Sequence, residues 1–497
     1  MSGPSGPRID RRALLLGAGA ALLPSTTRAQ ALGSSAQQSQ HSHAAPPPPP
    51  ASGIGAPLQE PEVRRAVKRR TAHHAARRLQ LQEPRRLPPL CAQLRGQRSG
   101  PDAARPARRP LRITLINDLP PNRDTIPRDL GIPHHFNTTN FHFHGSHVSP
   151  SGIADNVMRS MAPGEISEIA IDIPADHTSG TYWYHPHHHG GADIQIASGM
   201  AGAIILDGDF DSVPEIVAAT EHTLVLNEVV FDQFGMVERF ETLFPETATR
   251  FFSVNGQREP TIAMRPGEVQ RWRLVHAGYQ DDLFLELEGH GLHVIAWDGV
   301  ALPAIRSMDR LLIAPGQRAD VLVQAGAAGS YALRALPYDQ GYPSPTGTVA
   351  RLAVAGDPLP MSLPSRLPPP PIPTIADGEI TNRRTLTFSA RVPEAEAAAD
   401  WREFSFLIDG RLFDPDRVDQ RVRLGAVEEW TLVNTPPARP HLPHPHQPVP
   451  GDPGERPARR PDLARHRRPA PEGEPDVPLA VHRFHRQVHA PLPYDEP

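Results

Sequence analysis

The feature that most constrains the fold is a series of short alternating segments that begins at Leu111. In "LRITLIND", "EISEIAIDIP", "HTLVLNEVV" and "LHVIAWDGV", apolar and polar residues alternate with the period of two that is typical of β-strands. Gly, Pro, Asn and Asp separate these segments, and no long stretch has the spacing of an amphipathic helix. The sequence therefore predicts an all-β chain built of sandwiches or barrels.

An internal repeat divides this series into related units. "RPGEVQRWRLVH" (265–276) aligns without gaps on "RLGAVEEWTLVN" (423–434), with Gly, Val, Trp, Leu and Val in the same places. "SVNGQ" precedes the first copy and "LIDGR" the second, and both predict hairpin turns because Asn-Gly and Asp-Gly favour positive φ. At least two domains therefore share one ancestor, and the segment 111–208 is similar in pattern to a third.

The same patterns predict where the domains begin and end. A proline-rich stretch, "LPSRLPPPPIPTIADG", lies between the two copies of the repeat and is typical of a linker. The predicted order is a first domain over 111–212, a second over 213–357, a linker over 358–382 and the start of a third domain over 383–434.

The first residues have the pattern of an export signal. Arg11 and Arg12 precede a modest apolar run, which ends in the small-x-small pattern Ala29-Gln30-Ala31. This order is typical of a twin-arginine signal peptide, predicted here over residues 1–31. The alternative is a membrane anchor, but the run is too short and too rich in Gly and Ala to span a bilayer, and no other segment is apolar enough. We therefore expect a periplasmic protein that uses the twin-arginine export machinery and is not an integral membrane protein.

Composition excludes two further classes. The formal net charge of −4 gives no reason to expect a nucleic-acid partner or an anionic membrane surface. The single cysteine, Cys91, excludes a disulfide framework.

Two histidine-rich segments, "NFHFHG" and "GTYWYHPHHHG", carry the candidate chemistry. Residues i and i+2 of a strand point to the same face, so His142 with His144, and His185 with His187, each present two imidazoles to one side. A lone His-x-His is usually exposed and binds nothing, but two of them in aromatic strand sequence predict one shared metal site. Neutral imidazole suits copper, zinc, iron or nickel, and the spacing alone does not choose among these metals.

The other histidines of this region are expected to have supporting roles. We expect His188 and His189 at the rim of the site or behind its ligands. Four more are expected to be structural or exposed: His134, His135, His147 and His177.

These segments resemble the first domain of three-domain multicopper oxidases, the superfamily of laccase-like, bilirubin-oxidase-like and cuprous-oxidase-like enzymes. "TTNFHFHGSHVSPSGIADNV" and "SGTYWYHPHHHGG" carry the resemblance in the first domain. "FFSVNGQREPTIAMRPGEVQRWRLVHAG" and "FLIDGRLFDPDRVDQRVRLGAVEEWTLVN" extend it, so that it covers roughly residues 111–434. The resemblance implies three cupredoxin-like Greek-key domains, of which the last is incomplete as written.

The resemblance also implies two copper centres. A mononuclear type 1 copper takes single electrons from a reductant, and a trinuclear cluster of one type 2 and two type 3 coppers reduces dioxygen to water. By this resemblance His142 would bind the type 2 copper, and His144, His185 and His187 would bind the type 3 pair. The expected partners are dioxygen and a phenolic, pigment or metal-ion reductant. With eight methionines and no Met-rich insert, a cuprous oxidase is less favoured.

The family pattern fails in two tracts, 32–110 and 435–497. The family's last domain has a His-Pro-x-His-x-His motif and a His-Cys-His motif that supplies the type 1 thiolate, yet no cysteine follows Cys91. Both tracts are rich in Pro and Arg, and the first is typical of a disordered basic linker. The type 1 site expected for the family therefore lacks its ligands here.

A shifted reading frame would explain both tracts. Codons that can encode "RPHLPHPH" (439–446) yield Asp-His-Thr-Phe-His-Ile-His when read one base later, and "HRQVHAPLPYDEP" yields a His-Cys-His in the same way. An in-frame alternative uses His441, His444 and His446 as ligands, but the intervening prolines argue against a strand there. We predict that both tracts are frameshift products or, for the first, a disordered tract.

Three functions follow from these observations. The leading one is an exported, laccase-like copper oxidase, inactive as written for lack of type 1 ligands. The alternative is a non-enzymatic periplasmic cupredoxin scaffold or copper-binding protein, but division-associated relatives of that kind are expected to lose the first-domain ligands, which are all in place here. A copper nitrite reductase would need a type 1 cysteine in the first domain, and residues 111–208 contain none.

Overall fold

The computed structural model is nearly all-β, which confirms the predicted fold class. Its described residues all belong to one unit, Ser52–Pro497. The structure describes residues 54–65, 72–75, 92–96, 111–127, 130, 132–174, 176–208, 210, 212–231, 249–340, 344–370, 375–391, 405–423, 425–435 and 481–485.

The first group of strands contains both histidine segments. Its elements are β1 (Glu62–Arg65), β2 (Ala72–Ala75), β3 (Ala92–Gly96), β4 (Leu111–Ile116), β5 (His142–His144), β6 (Ile166–Ile171), β7 (Gly180–His185), α1 (Ala192–Ala197) and β8 (Gly202–Leu206). One sheet has the order β1-β3-β8-β7-β5, and a second has the order β2-β4-β6. Phe143, Tyr182 and Tyr184 are buried in the core of this group, so the alternate residues of β5 and β7 point to the opposite face.

Strands β1, β2 and β3 lie in the tract 32–110, for which the sequence predicts disorder. The first and third pair in parallel with each other, β3 also pairs with β8, and β2 pairs with β4. Strands form at these residues without alternating side chains because backbone hydrogen bonds to a formed sheet do not need them. Disorder of the tract 32–110 as a whole stays a prediction. The shifted frame stays a prediction, as do the exact domain boundaries.

The second group of strands contains the largest core of the described residues. Its elements are α2 (Pro214–Ala218), β9 (Thr220–Phe231), β10 (Thr249–Val254), β11 (Thr261–Met264), β12 (Val269–His276), β13 (Leu283–Leu287), β14 (Leu292–Trp297), β15 (Val300–Met308), β16 (Arg310–Ile313), β17 (Arg318–Gln324), β18 (Gly329–Leu336) and β19 (Gly347–Val354). A six-stranded sheet, β10-β9-β12-β17-β14-β15, and a five-stranded sheet, β11-β19-β18-β13-β16, supply this core. Trp272 of β12, from the first copy of the repeat, is buried within it.

The third group is a single sheet within the part of the chain that the structure describes. It consists of β20 (Asn382–Arg391), β21 (Ser405–Ile408), β22 (Val427–Asn434) and β23 (Val481–His485), in the order β21-β20-β22-β23, and a 3-10 turn over Asp377–Glu379 precedes it. Strand β23 lies in the tract 435–497. Among all the described residues, neither helix is long and apolar enough to cross a membrane.

Candidate metal centre

Strand pairing brings the two histidine segments together. Strands β5 and β7 are antiparallel neighbours, with His142 opposite His185 and His144 opposite Trp183. Ligand nitrogen atoms of His142, His144 and His185 lie within 4.8 Å of one another. His187 follows β7 directly, and its ring centroid lies 5.2 Å from that of His142. The structure therefore places all four predicted ligand histidines in one cluster.

The rings of this inner cluster are spaced as ligands of shared metal ions would be. The His142 centroid is 5.5 Å from that of His144 and 5.3 Å from that of His185, and His185 is 5.7 Å from His187. Imidazole nitrogens bind such metals at about 2 Å, so rings that share an ion lie at roughly these separations. His144 Nδ1 and His185 Nε2 point at each other across 3.0 Å.

Two hydrogen bonds fix which nitrogen of each ring is available. His142 Nδ1 lies 3.1 Å from Asp155 Oδ1, and the same oxygen accepts a 2.7 Å hydrogen bond from Phe143 N. His185 Nδ1 lies 2.8 Å from the carbonyl oxygen of Pro186. Because carboxylate and carbonyl oxygens only accept, each Nδ1 donates, and the neutral ring keeps its lone pair on Nε2.

Burial keeps these imidazoles neutral. Burial, helped by the neighbouring His142, lowers the pKa of His185 to about 3. Burial and the Arg318 guanidinium hold the pKa of His144 well below its usual value. Burial and His142 also lower the pKa of His187. Neutral imidazole is the form that binds a transition metal, so these three rings are ready to act as ligands near pH 7.

The second group of strands closes the back of the cluster. The His144 ring lies between Trp183, at a centroid distance of 4.9 Å, and the Pro-Gly turn before β17. A Cβ atom on Gly316 would lie 3.1 Å from His144 Cε1. Arg318 donates to the Gly316 carbonyl at 2.8 Å and to the Thr181 carbonyl at 3.2 Å, which holds this turn against the first group.

Sequence reasoning missed the residues that hold the ligands in place. Asn140 Oδ1 accepts a 2.6 Å hydrogen bond from His187 N, and Gln195 Nε2 donates at 2.7 Å to the carbonyls of Phe136 and Thr138. Asp155 and Trp183 belong to the same set. Asn140 and Trp183 lie within the quoted segments, but no rule of spacing marks an amide or an indole as a support for a ligand.

Of the remaining histidines, His177 is buried and His147 is exposed. His177 accepts a 2.9 Å hydrogen bond from His147 N, and donates from Nδ1 to the Thr178 carbonyl at 2.8 Å. His441, His444, His446 and Cys91 lie outside the described residues.

Four other histidines form an outer histidine group beside the inner cluster, made of His134, His135, His188 and His189. The ring of His134 lies 6.1 Å from that of His188 and 5.6 Å from that of His135. His189 stacks on Phe413 at 3.8 Å. Burial and the neighbouring His134 lower the pKa of His188 to about 4.

Comparison with known proteins connects this geometry to a family. A family model described as "Multicopper oxidase" matches residues 220–355, and a second model with the same description matches residues 134–210.

Curated relatives have a different kind of name. The chain is 28% identical over 310 residues to "Cell division protein FtsP" of Edwardsiella tarda, a match that covers 58% of this chain and 61% of that protein. It is 26% identical over 314 residues to the protein of the same name from Escherichia coli, which covers 59% and 62%. The match thus spans about three fifths of the length of these relatives.

Solved structures share the fold. "Multicopper oxidase from Campylobacter jejuni: a metallo-oxidase" has a TM-score of 0.58 at 20% identity and covers 78% of this chain and 80% of its own. A laccase from Pediococcus acidilactici has a TM-score of 0.55 at 19% identity and covers 78% and 77%.

Proposed function

Because the chain belongs to the multicopper oxidase superfamily, we propose that its first domain holds one half of a trinuclear copper site. The ligands in this proposal are His142, His144, His185 and His187. The function that the site supports best is copper-dependent oxidation, in which a phenolic, pigment or metal-ion reductant gives single electrons and dioxygen is reduced to water. The chain as written would bind copper without completing this cycle.

One observation carries the proposal: three imidazoles from two neighbouring strands converge with that of His187, which follows the second strand, and the pKa values of three of the four are lowered by their surroundings. A set of neutral nitrogen donors fits copper. Copper bound there would supply one-electron redox chemistry.

The chain's own residues orient and shield this ligand set. Asp155 fixes the tautomer of His142, and the Pro186 carbonyl does the same for His185, so both rings present Nε2 inward. Trp183 stacks on His185 at 4.1 Å and excludes water from one face of that ring. Such supports decide whether a set of ligands keeps its geometry when a metal arrives.

The electron-entry site is the part that the chain as written does not supply. A type 1 copper needs a thiolate, and Cys91, far from the third domain in sequence, is the only cysteine. Without it, four first-domain ligands hold copper weakly, because a larger cluster needs ligands from both domains.

A second candidate function has support from the relatives. Relatives named for cell division match this chain over about three fifths of their own length, which favours a binding role in division. In that case the chain would be exported to the periplasm through the Arg11-Arg12 signal. In that role the surface of the cupredoxin domains, and not the histidine cluster, would bind the partner protein.

Copper stoichiometry separates the two. The purified chain, loaded with copper and dialysed, should retain more copper than a chain in which all four ligand histidines become alanine, and it should show no intense blue absorption. A chain with the third-domain frame restored should be blue and consume dioxygen, and His187→Ala should abolish that consumption while sparing the blue band. If the four-alanine chain retained as much copper as the parent, the first-domain site would be refuted. If the four-alanine chain also supported cell division fully, the scaffold function would replace the copper-oxidase function as the proposal.

A further inference from the structure

We propose that the outer histidine group holds a separate copper site, formed by His134 and His188, beside the inner cluster. This inference goes beyond the proposed function, since it concerns residues outside the family's ligand pattern. It assigns a role to two His-His pairs, His134-His135 and His188-His189, that lie far apart in sequence.

Backbone contacts bring the two pairs together. His134 N donates a 2.9 Å hydrogen bond to the Gly190 carbonyl, which joins the segment before β5 to the loop after β7. Gly190 has a φ of +86°, and a Cβ atom there would lie 2.3 Å from His134 Nδ1. Only glycine therefore lets the His134 ring lie against this loop, where it meets the ring of His188 almost edge-on.

The nitrogen atoms of this pair are suited to a metal. His134 is buried, and its Nδ1 lies 2.6 Å from the Ile132 carbonyl, so Nδ1 donates and the neutral ring keeps its lone pair on Nε2. The Nε2 atom of His188 is buried and has no hydrogen-bond partner among the described residues. A buried polar atom without a partner is rare in folded proteins, and an ion that accepts its lone pair would satisfy it.

The other two histidines are the sequence neighbours of this pair. His135 has a φ of +48°, an unusual conformation for a residue with a side chain, and Asp124 holds it there by accepting from His135 N at 2.5 Å. Residues kept in such conformations are found disproportionately at functional sites. His189 is an exposed residue, and its ring lies flat on that of Phe413 at an interplanar angle of 8°.

The donor set selects the ion. Imidazole nitrogens without thiolate or carboxylate ligands favour copper, zinc and nickel, and among divalent ions of the first row Cu²⁺ binds such donors most tightly. His188 directly follows the inner ligand His187, so an ion in the outer group sits beside the inner cluster. The outer group is thus a second copper site, with the imidazoles of His134 and His188 as its ligands.

The test isolates the outer group in the full-length, metal-stripped chain. A background variant carries Gln at positions of the inner ligands His142, His144, His185 and His187. Cu²⁺ affinity is measured by competition with a chelator, and nitrogen coordination by electron paramagnetic resonance.

The background variant should bind one Cu²⁺ with nitrogen hyperfine structure. Adding His134→Gln and His188→Gln should weaken that binding at least tenfold, whereas His293→Gln, at a half-exposed histidine of the second group, should not. The histidines of the tract 435–497 are present in every variant and cannot account for a difference.

Two results would overturn the proposal. One is equal Cu²⁺ affinity with and without the His134 and His188 substitutions in the background variant. The other is tighter binding of Zn²⁺ than of Cu²⁺ at this site. If circular dichroism shows that the background variant is unfolded, the same pair is substituted in the parent chain, where loss of one copper equivalent supports the site and unchanged stoichiometry refutes it. Because the inner ligands are absent from the background variant, failure of the outer site and failure of the inner cluster are separate outcomes.

Discussion

Strand pairs β9–β12 and β20–β22 are two versions of one structural unit. Both are parallel, and their register is the same: Gln270 lies opposite Thr220 in the first, and the matching Glu428 lies opposite Asn382 in the second. The Nε1 atom of Trp272 donates to Gln270 Oε1 at 3.1 Å, and that of the matching Trp430 donates to Glu428 Oε2 at 2.9 Å. The repeat in sequence is therefore a repeat in backbone pairing and in side-chain contact.

The two versions differ in what covers them. Every residue of β12 is buried, and Trp272 is 1% exposed within the core between two sheets. In β22 only one residue is buried, and Trp430 is half-buried. On β21, which pairs with the other side of β20, Phe406 is 75% exposed. Local sequence specifies the strand pair, but a core requires a second sheet, and the described part of the third group consists of one.

The largest effect should separate the two tryptophans. Trp272→Ala should lower the free energy of unfolding by about 3–5 kcal/mol, because it removes a fully buried indole and leaves a cavity. Trp430→Ala should lower it by about 1 kcal/mol, because solvent already reaches this side chain. Calorimetry can measure both, since each kcal/mol shifts the transition of a domain of this size by roughly 2–4 °C.

Phenylalanine at each position is the matched control, because it restores most of the apolar volume. Equal losses for Trp272→Ala and Trp430→Ala would show that the third group has a core as complete as the second. Restoring the frame of the last tract should raise the effect of Trp430→Ala toward that of Trp272→Ala.

A buried carboxyl should make the second group, but not the third, sensitive to rising pH. Burial, with a contribution from Asp281, raises the pKa of Glu228 to about 8. A carboxyl whose pKa is raised in the folded state favours folding while it is protonated, and this stability is lost as pH rises toward the folded pKa. Between pH 6 and pH 8 the loss should reach about 2 kcal/mol, and Glu228→Gln should remove it. The matching position of β20 is Ala390, so the third group should show no such dependence. Denaturant titrations across this pH range would measure it, and a Glu228→Gln chain with unchanged pH dependence would contradict it.

Features with a short period in sequence were predictable, and features made by distant loops were not. The alternation in β5 and β7 predicts that His142 and His144 share a face, and strand pairing supplies the rest of the inner cluster. Asp155 reaches His142 from a loop, and Gly316 reaches His144 from another group of strands. The contact between His134 and His188 depends on the conformation of two loops, so no pattern along the chain predicts it.

A smaller difference is expected for the hydrogen-bond partners of the two tryptophans. Gln270 is buried, and it also donates from Nε2 to the Ala263 carbonyl at 2.9 Å. Gln270→Leu should destabilise the second group by about 1–2 kcal/mol, because the buried Trp272 Nε1 and Glu268 Oε1 lose their partner.

Glu428 is also buried, but its partners Arg384 and Trp430 are only half-buried. Glu428→Leu should therefore have a smaller effect, since water can replace the carboxylate at both partners. Urea unfolding compares the two variants, and a larger loss for Glu428→Leu would mean that the environment of Trp430 is the drier one.

The smallest expected difference lies in the hairpin turns, because these belong to the local part of the unit. Asn255 and Gly256 have φ values of +52° and +75°, and Asp409 and Gly410 have +51° and +74°, as the Asn-Gly and Asp-Gly pairs predict. A side chain on either glycine meets the same backbone strain, so Gly256→Ala and Gly410→Ala should each destabilise the chain by about 1 kcal/mol. This loss of stability does not depend on the burial of the surrounding strands, so the two losses should agree within about 0.5 kcal/mol. Calorimetry on the two single variants and the double variant measures both losses and their sum. Unequal losses would show that the turn of one group depends on its packing. The stability of these turns would then not be set by local sequence alone.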